Sequence, residues 1–341
     1  MPIRDRKKEH VELSLNQDVF YQKKSGFEEY DFRHNALPEL NVDEIDLGKS
    51  LLGRRFSFPL FVSSMTGGYH GAEAVNAILA SFCEERNLPL GVGSQRAMLE
   101  DPSEIDSFAI VRQRAPNAFI AANIGGAQLI GGLAMESCKR LIHSIDADAV
   151  IVHLNPLQEL VQPEGDRAFR GVLDGISSLA GQCTVPVIVK ETGAGISGEV
   201  AEKLTGIGVR VIDVAGAGGT SWARVENLRA MQKEPLHFLD NWGIPTAECI
   251  TDVVAFTSGR NFELIASGGI RSSEEIVKAI ALGADFTAMA QPLIKAVFEG
   301  GEKALNALLD RLEKECRLIL TLLGCRSFYD IRPAHLRRVN R

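Results

Sequence analysis

Three basic side chains, Arg96, His153 and Lys190, stand where the apolar runs LGVGS (90–94), VIVHLN (150–155) and VIVKE (187–191) give way to polar sequence. Three cations gathered at one place are costly unless they meet an anion. Around them lie further polar run ends: Ser63-Ser64-Met65-Thr66-Gly67-Gly68, Ser94-Gln95, Asn123, Asn155 and Gly218-Gly219-Thr220-Ser221. Helix capping accounts for any one Ser, Thr or Asn; it does not account for the bases. Ser267-Gly268-Gly269-Ile270-Arg271 and Ala290-Gln291-Pro292 each close an apolar run and open a helix, the second with proline at the helix start. Backbone N–H groups, helix dipoles and the Arg271 guanidinium together make an anion site, best suited to phosphate. Asn155-Pro156-Leu157-Gln158-Glu159 is followed by Gln162-Pro163-Glu164-Gly165-Asp166. A single carboxylate such as Glu159 suits Mg²⁺, which keeps waters and takes other oxygens from a phosphate. An ordinary charged surface loop accounts for the segment equally well.

Positioning these groups falls to eight short runs: 60–64, 90–94, 119–123, 150–155, 187–191, 211–216, 264–269 and 286–291. Segments with helical spacing lie between most of them, including AEAVNAILASFCEER, PSEIDSFAIVRQR, MESCKRLIHSI and SSEEIVKAIALG, each long enough for a right-handed crossover. VIV at 150–152 and 187–189 is apolar on both faces, as strands between a packed interior and an outer helical layer must be. Eight such units predict a (β/α)8 TIM barrel, whose active site forms at the C-terminal strand ends, with phosphate held after strands seven and eight. The polar run ends then converge on one face. Two additions to the barrel are expected to reach that face: an N-terminal extension, residues 1–59, and a long insertion between strands 6 and 7. Residues 60–341 form the barrel itself. From Pro292 onward the pattern predicts helices broken at Gly300-Gly301, serving closure and helix packing.

Gly193-Ala194-Gly195-Ile196-Ser197-Gly198, with Asp213 about twenty positions on, matches the dinucleotide fingerprint of a Rossmann dehydrogenase. It sits in the fifth of eight equivalent units rather than at the start of an open sheet, and Lys190-Glu191 places charge where close packing is wanted. The barrel therefore takes precedence. With 341 residues, 45% apolar, and a net charge of −7 spread in both signs, the chain shows no basic stripe for nucleic acid or an anionic membrane. The charged N-terminus has no apolar signal core and no run is long enough to span a membrane, so a soluble cytoplasmic protein is expected. Six scattered cysteines without Cys-x-x-Cys point to reduced thiols rather than zinc or disulfides.

RKxxH (Arg6, Lys7, His10), SSMTGG, GSQR, NIGGAQL, HLNPLQELVQPEGDRAFRG, KETGAGIS, DVAGAGGTSW and ASGGIR occur in that order from residue 4 to about residue 291. The chain resembles type 2 isopentenyl-diphosphate isomerase. The LQExxQPEGD segment is highly specific to that family, whereas GGIR is shared by many flavin barrels. Asn241 stands where the family commonly has Asp, and Ser272-Ser273 where Thr-Gly is usual. The resemblance implies FMN bound by Met65, Thr66, Ser94, Asn123, Lys190, Thr220, Gly269, Ile270, Arg271, Ala290 and Gln291. It implies a substrate diphosphate held by Arg6, Lys7, His10, Ser94, Gln95, Arg96, His153, Asn155 and Gln158, with Mg²⁺ on Glu159. It further implies isomerisation of isopentenyl to dimethylallyl diphosphate, with Gln158, His153 and Lys190 at the chemistry, reduced FMN as acid/base cofactor and NAD(P)H only as its reductant. A homo-oligomer, tetramer or octamer, belongs to the same implication. Competing functions are a flavin-dependent 2-hydroxyacid oxidase, a nucleotide-oxidising barrel and a binding-only barrel. The first needs a late His/Arg pair, the second a loop cysteine after a strand, and neither is present.

Overall fold

The computed structural model of the chain describes residues 3–130, 135–229, 235–257 and 261–339. Eight strands, β1 (Leu60–Val62), β2 (Leu90–Gly91), β3 (Ile120–Gly125), β4 (Ala149–Leu154), β5 (Val187–Glu191), β6 (Val211–Asp213), β7 (Glu263–Ala266) and β8 (Phe286–Met289), close a parallel barrel in sequential order. Thr287 of β8 pairs with Leu60 of β1 to complete it. Every expected run supplies a strand, because each is buried on both faces. Ile151, Ile188, Val211, Phe61, Phe119 and Phe286 fill the interior, while Val150, Val152, Val187, Val189 and Ile212 pack outward on the helices. This alternation puts His153 one layer above Ile151 and Lys190 one layer above Ile188. The register then sets His153 beside Lys190 and Lys190 beside Asp213 at the C-terminal rim.

The four expected helical segments form helices at Ala72–Arg86, Asp106–Arg114, Met135–Ser144 and Ser273–Ala281. The last helix, Gln291–Leu323, is broken at Gly300 and Gly301, as expected, and Gly301 has φ 59°. All six cysteines are free, five of them buried. Among the described residues no helix is long and apolar enough to cross a membrane.

The N-terminal extension divides its work between both ends of the barrel. Helix α1 (Ile3–Asn16) and the segment after it lie over the mouth, where Tyr21 N donates to Gly219 O at 3.0 Å and Phe20 bridges Thr220. The chain then descends: Tyr30–Phe32 pairs antiparallel with Leu336–Arg338, and a hairpin of Lys49–Leu51 with Arg54–Phe56 reaches the floor. There Phe56 meets Phe119 and Phe286 edge to face, with centroids 6.0 and 5.7 Å apart. Only the first half of the extension reaches the catalytic face, because Leu51 and Phe56 bury their apolar surface in the barrel interior instead. Between β6 and β7 the insertion forms a helix, Trp222–Arg229, and a turn at His237–Leu239 before the barrel helix Thr246–Phe256. Asn241 accepts from Gln22 N at 2.8 Å and donates to Gln22 Oε1 at 3.1 Å, so the amide joins insertion to extension.

The glycine motif after β5 turns its donors inward. Its N–H groups converge on Glu191 of the same chain: Thr192 N and Gly193 N donate to Oε2 at 2.6 Å, Gly195 N at 3.3 Å, and Ala194 N joins them. The nest that would grip a pyrophosphate already holds a carboxylate.

Candidate active site

The barrel mouth opens into one cleft of about 1450 Å³ of empty space, continuous with solvent and lined by residues from α1, from all eight strand ends and from the insertion. At its base His153 Nδ1 lies 2.8 Å from Asn123 Oδ1. Asn123 Nδ2 donates to Val92 O at 3.0 Å, so its oxygen must face the imidazole and accept from Nδ1–H. His153 therefore keeps a bare Nε2. Burial, then Lys190 and Lys7 nearby, push its pKa down to about 3. This corrects the expectation of three cations: His153 is a neutral donor and acceptor, which leaves Arg96 and Lys190 as the other two basic groups of the strand ends. Lys190 Nζ donates to Glu191 O at 2.5 Å and neighbours Asp213, whose buried carboxyl accepts from Ser267 Oγ.

Ser94, Met65 and Thr220 line the cleft as expected. Two neighbours of theirs do not. The Thr66 hydroxyl donates to Asn76 in the buried layer behind the loop, where Asn76 also bonds Ser107 O. Gln95 is fully buried, with its amide spent on Leu141 O and Ser144 Oγ, both at 3.1 Å, and its oxygen accepting from Asn123 N. Both side chains brace loops with their donors, and neither lines the cleft. Ser64 is the reverse case: its hydroxyl lines the cleft, is buried, and has no partner among the described residues.

Gly269, Ile270, Arg271, Ala290 and Gln291 form the opposite wall. A Cβ on Gly219 would come within 2.7 Å of Gly269 N, and one on Gly268 (φ 96°) would strike Gly216 O, so the β6 and β7 loops stack through glycine. The helix start after β7 is less free than expected. Ser272 and Glu275 form a capping box, and Glu275 Oε2 takes the N–H groups of Arg271 (2.7 Å) and Ser272 (3.0 Å). An anion there is left the Arg271 guanidinium, which also stacks on Phe20 at 4.8 Å, and the Gly269-Ile270 turn.

From above, α1 delivers Arg6, Lys7 and His10 to the cleft. Lys7 Nζ donates to Gly67 O at 2.8 Å and Ser94 O at 2.5 Å, tying α1 to the loops after β1 and β2. Burial, then the adjacent Arg6, bring its pKa down to about 7 against the opposing pull of Glu104 and Glu100. A lowered lysine is charged below that value and loses its proton above it. Affinity of the free protein for inorganic pyrophosphate should therefore weaken, relative to Lys7→Arg, as pH rises through about 7. Calorimetric titration across that range checks this, and parallel curves for the two proteins would exclude Lys7 as the titrating group. Arg96 lines the rim with Nε on Glu100 (2.8 Å) and Nη1 3.6 Å from Asp166, so these carboxylates share its charge with any ligand.

The short helix α2 (Pro156–Val161) starts after Asn155 and projects Gln158 and Glu159. Glu159 is buried; Oε1 accepts from Asn155 Nδ2 (2.9 Å) and Oε2 from Asp166 N (2.8 Å), each oxygen retaining a lone pair. Among the described residues no group of three His, Cys, Asp or Glu could hold a metal. Gln158 Nε2 donates to Glu226 Oε1 at 2.9 Å. Glu226, on the insertion helix α3 (Trp222–Arg229), was not foreshadowed by any motif. Its side chain is fully buried beneath α1 and α2; His10 Nε2 lies 2.8 Å from Oε1 and Arg229 Nε donates to Oε2 at 2.7 Å. Burial alone would raise its pKa, but His10, Gln158 and Arg229 hold it down to about 2.

A model of the FMN-dependent dehydrogenase family matches residues 154–338. Curated isopentenyl-diphosphate delta-isomerases are similar over nearly the whole chain. That of Nostoc sp. is 46% identical, covering 94% of this chain and 91% of its own. That of Chlorobium luteolum is 47% identical, covering 94% and 92%. Among solved structures, a flavocytochrome b2 variant superposes with TM-score 0.72 at 16% identity, over 96% of this chain and 82% of that one. A chimeric (S)-mandelate dehydrogenase gives 0.69 at 15%, over 97% and 99%. At such identities the structures show the shared barrel alone. Sequence relatives and family model together place the cleft in a known lineage, and the chain belongs to the type 2 isopentenyl-diphosphate delta-isomerase family, within the FMN-dependent dehydrogenase barrels.

Proposed function

We propose that the cleft isomerises isopentenyl diphosphate to dimethylallyl diphosphate with reduced FMN and Mg²⁺ bound beside it. The observation that carries this is the convergence on one cleft of Arg6 and Lys7 from α1, Gln158 and Glu159 from α2, and Lys190 and Arg271 from the barrel. A diphosphate demands that density of cations and donors.

The residues present fit both groups. For a flavin mononucleotide, Arg271 and the Gly269-Ile270 turn suit the phosphate, and the partnerless Ser64 hydroxyl awaits a polar ligand atom. Lys190 suits a ring that gains negative charge on reduction. For Mg²⁺, the two spare lone pairs on Glu159 are hard oxygen donors, the other ligands coming from diphosphate and water. FMN, when bound and reduced, supplies an electron-rich ring with an exchangeable proton beside an alkene too weakly basic for ordinary side chains. Arg6, Lys7 and His10 hold the diphosphate and close the mouth with α1, excluding water. Neutral His153 offers its bare Nε2 as an acceptor at the base of the cleft. Gln158 links the cleft to the Glu226 carboxylate, donating to it from Nε2 and leaving the amide oxygen toward Asn155 and the cleft. NAD(P)H serves only to reduce the flavin. A cytoplasmic homo-oligomer goes with the same reading, and light scattering of the purified protein checks the assembly.

An anaerobic assay with dithionite-reduced FMN should yield dimethylallyl diphosphate without stoichiometric oxidation of NAD(P)H. Consumption of one NAD(P)H per product would make the protein a dehydrogenase.

A further inference from the structure

Arg229 does not line the cleft, yet its guanidinium is the meeting point of three carboxylates. Its side chain is 5% exposed, with Nε on Glu226 (2.7 Å), one terminal nitrogen on Glu164 (2.9 Å) and the other 4.0 Å from Glu9. Glu226 on its other oxygen meets Gln158 at 2.9 Å and His10 at 2.8 Å. Gln162, with its amide turned to suit its neighbours, adds a donor at 3.1 Å and accepts from Arg6 at 2.8 Å. The charged groups facing Glu226 are thus Glu9, Arg6 and His10 from α1, Glu164 from the loop after α2, and Arg229 from its own helix. Asp240 pairs with His237 on one oxygen and accepts from Asn227 Nδ2 on the other.

An ionised carboxylate only accepts hydrogen bonds, whereas a protonated one also donates. With Glu226 ionised, Gln158 must turn its NH₂ toward it, which leaves the amide oxygen toward Asn155 Nδ2 (3.4 Å) and the cleft. Were Glu226 protonated, the amide could turn over and present N–H to the cleft instead. The charge on Glu226 therefore selects which end of Gln158 the reaction meets. A fully buried carboxylate without a cation takes up a proton rather than remain charged. Of its two basic contacts, His10 on Oε1 is a cation only when protonated, so the permanent positive charge on Glu226 is that of Arg229 on Oε2.

We propose that Arg229 is a positioning residue for the isomerisation: it keeps Glu226 ionised and thereby fixes the orientation of the Gln158 amide. This rests on the isomerase reading and on the place of Gln158 in it. A purely structural Arg229 would anchor α1 through Glu9 and Glu164, and its loss would appear in KM through the arm cations.

The test uses FMN-loaded protein with Mg²⁺ and isopentenyl diphosphate. Arg229→Met should lower kcat about 30-fold near neutral pH, in the range expected for loss of an outer hydrogen-bond partner, with KM and flavin content changed little. The remaining kcat should climb with pH as Glu226 regains its charge, where wild type is flat. In a Glu226→Gln background the same substitution should change kcat less than about 3-fold, since residues acting through one another are not additive. Infrared spectra should show a protonated-carboxyl band in Arg229→Met that vanishes in the double variant. If Arg229→Met does not fold, Arg229→Lys decides: its point charge lacks the fork that spans Glu226 and Glu164, so a drop in kcat of about 10-fold at constant KM supports the proposal. Wild-type kcat in Arg229→Lys, fully multiplicative losses in the double variant, or a raised KM with unchanged kcat would each overturn it. Should the wild type fail to isomerise, the function is wrong, while the infrared band still reports on the ionisation of Glu226.

Discussion

Replacing Gln158 by Asn should lower kcat by about 10²–10⁴-fold, the range associated with positioned proton transfer, while KM and FMN content stay nearly constant. The substitution keeps the amide and shortens its stem by one methylene. The shorter side chain cannot span the 2.9 Å hydrogen bond to Glu226 and still face the cleft. An effect confined to kcat is the mark of an interaction made mainly in the transition state. A modest loss would mean that the flavin handles both protons unaided. A third outcome follows from the Asn155 amide, which touches both Gln158 and Glu159. If Gln158 only braces that cluster, the variant should need more Mg²⁺ and excess metal should restore it. Measuring kcat against Mg²⁺ concentration separates the three, and full rescue would remove Gln158 from the chemistry.

Glu159→Gln should raise the Mg²⁺ requirement by more than the roughly 10–100-fold that loss of an outer-shell partner costs, because it removes the one carboxylate offered to the ion. Flavin content should not change. The Asn155 amide and the Asp166 N–H now donate to different oxygens of Glu159, and glutamine offers a carbonyl oxygen to only one of them, so the other donor faces its NH₂. Some loosening of α2 is therefore built into the variant. Thermal melting without metal reports that loosening separately from the titration of activity with Mg²⁺. Loss of FMN with an unchanged metal response would place Glu159 outside the metal site.

The barrel was legible because its signal is repeated. Each strand is an apolar run ending in a small or polar residue, and eight of them in alternation with helical spacing leave few other ways to bury both faces. The cleft was legible where chemistry is unusual for a strand end, as at His153 and Lys190. It was illegible where direction matters more than type. Ser94 and Gln95 are adjacent and equally polar, yet one faces the cleft and the other packs under Leu141. Thr66 beside Met65 repeats the case. Glu226 lies in WARVENLR, whose charges read as an ordinary solvated helix; only the descent of α1 and α2 onto it makes it buried. Ser272-x-x-Glu275 carried a readable capping signature, and its meaning is that the helix satisfies its own N–H groups before any phosphate arrives.

The pairing of Tyr30–Phe32 with Leu336–Arg338 also sets an order of events during synthesis. The strand nearest the start of the chain has no partner until roughly 300 further residues have been made, which at typical elongation rates takes on the order of 15–60 s. Phe20, Tyr21 and Gln22 wait likewise for Gly219, Thr220 and Asn241. These are contacts of very high sequence separation, and such contacts form late. Helix α1, which carries Arg6, Lys7 and His10, is therefore seated only after the barrel beneath it has closed. A nascent or refolding chain passes through a stage in which the barrel is complete and the roof of the cleft is still loose. Recovery of turnover should then lag behind recovery of helical signal, and a ribosome-bound chain stalled before residue 336 should lack the pairing of Tyr30–Phe32.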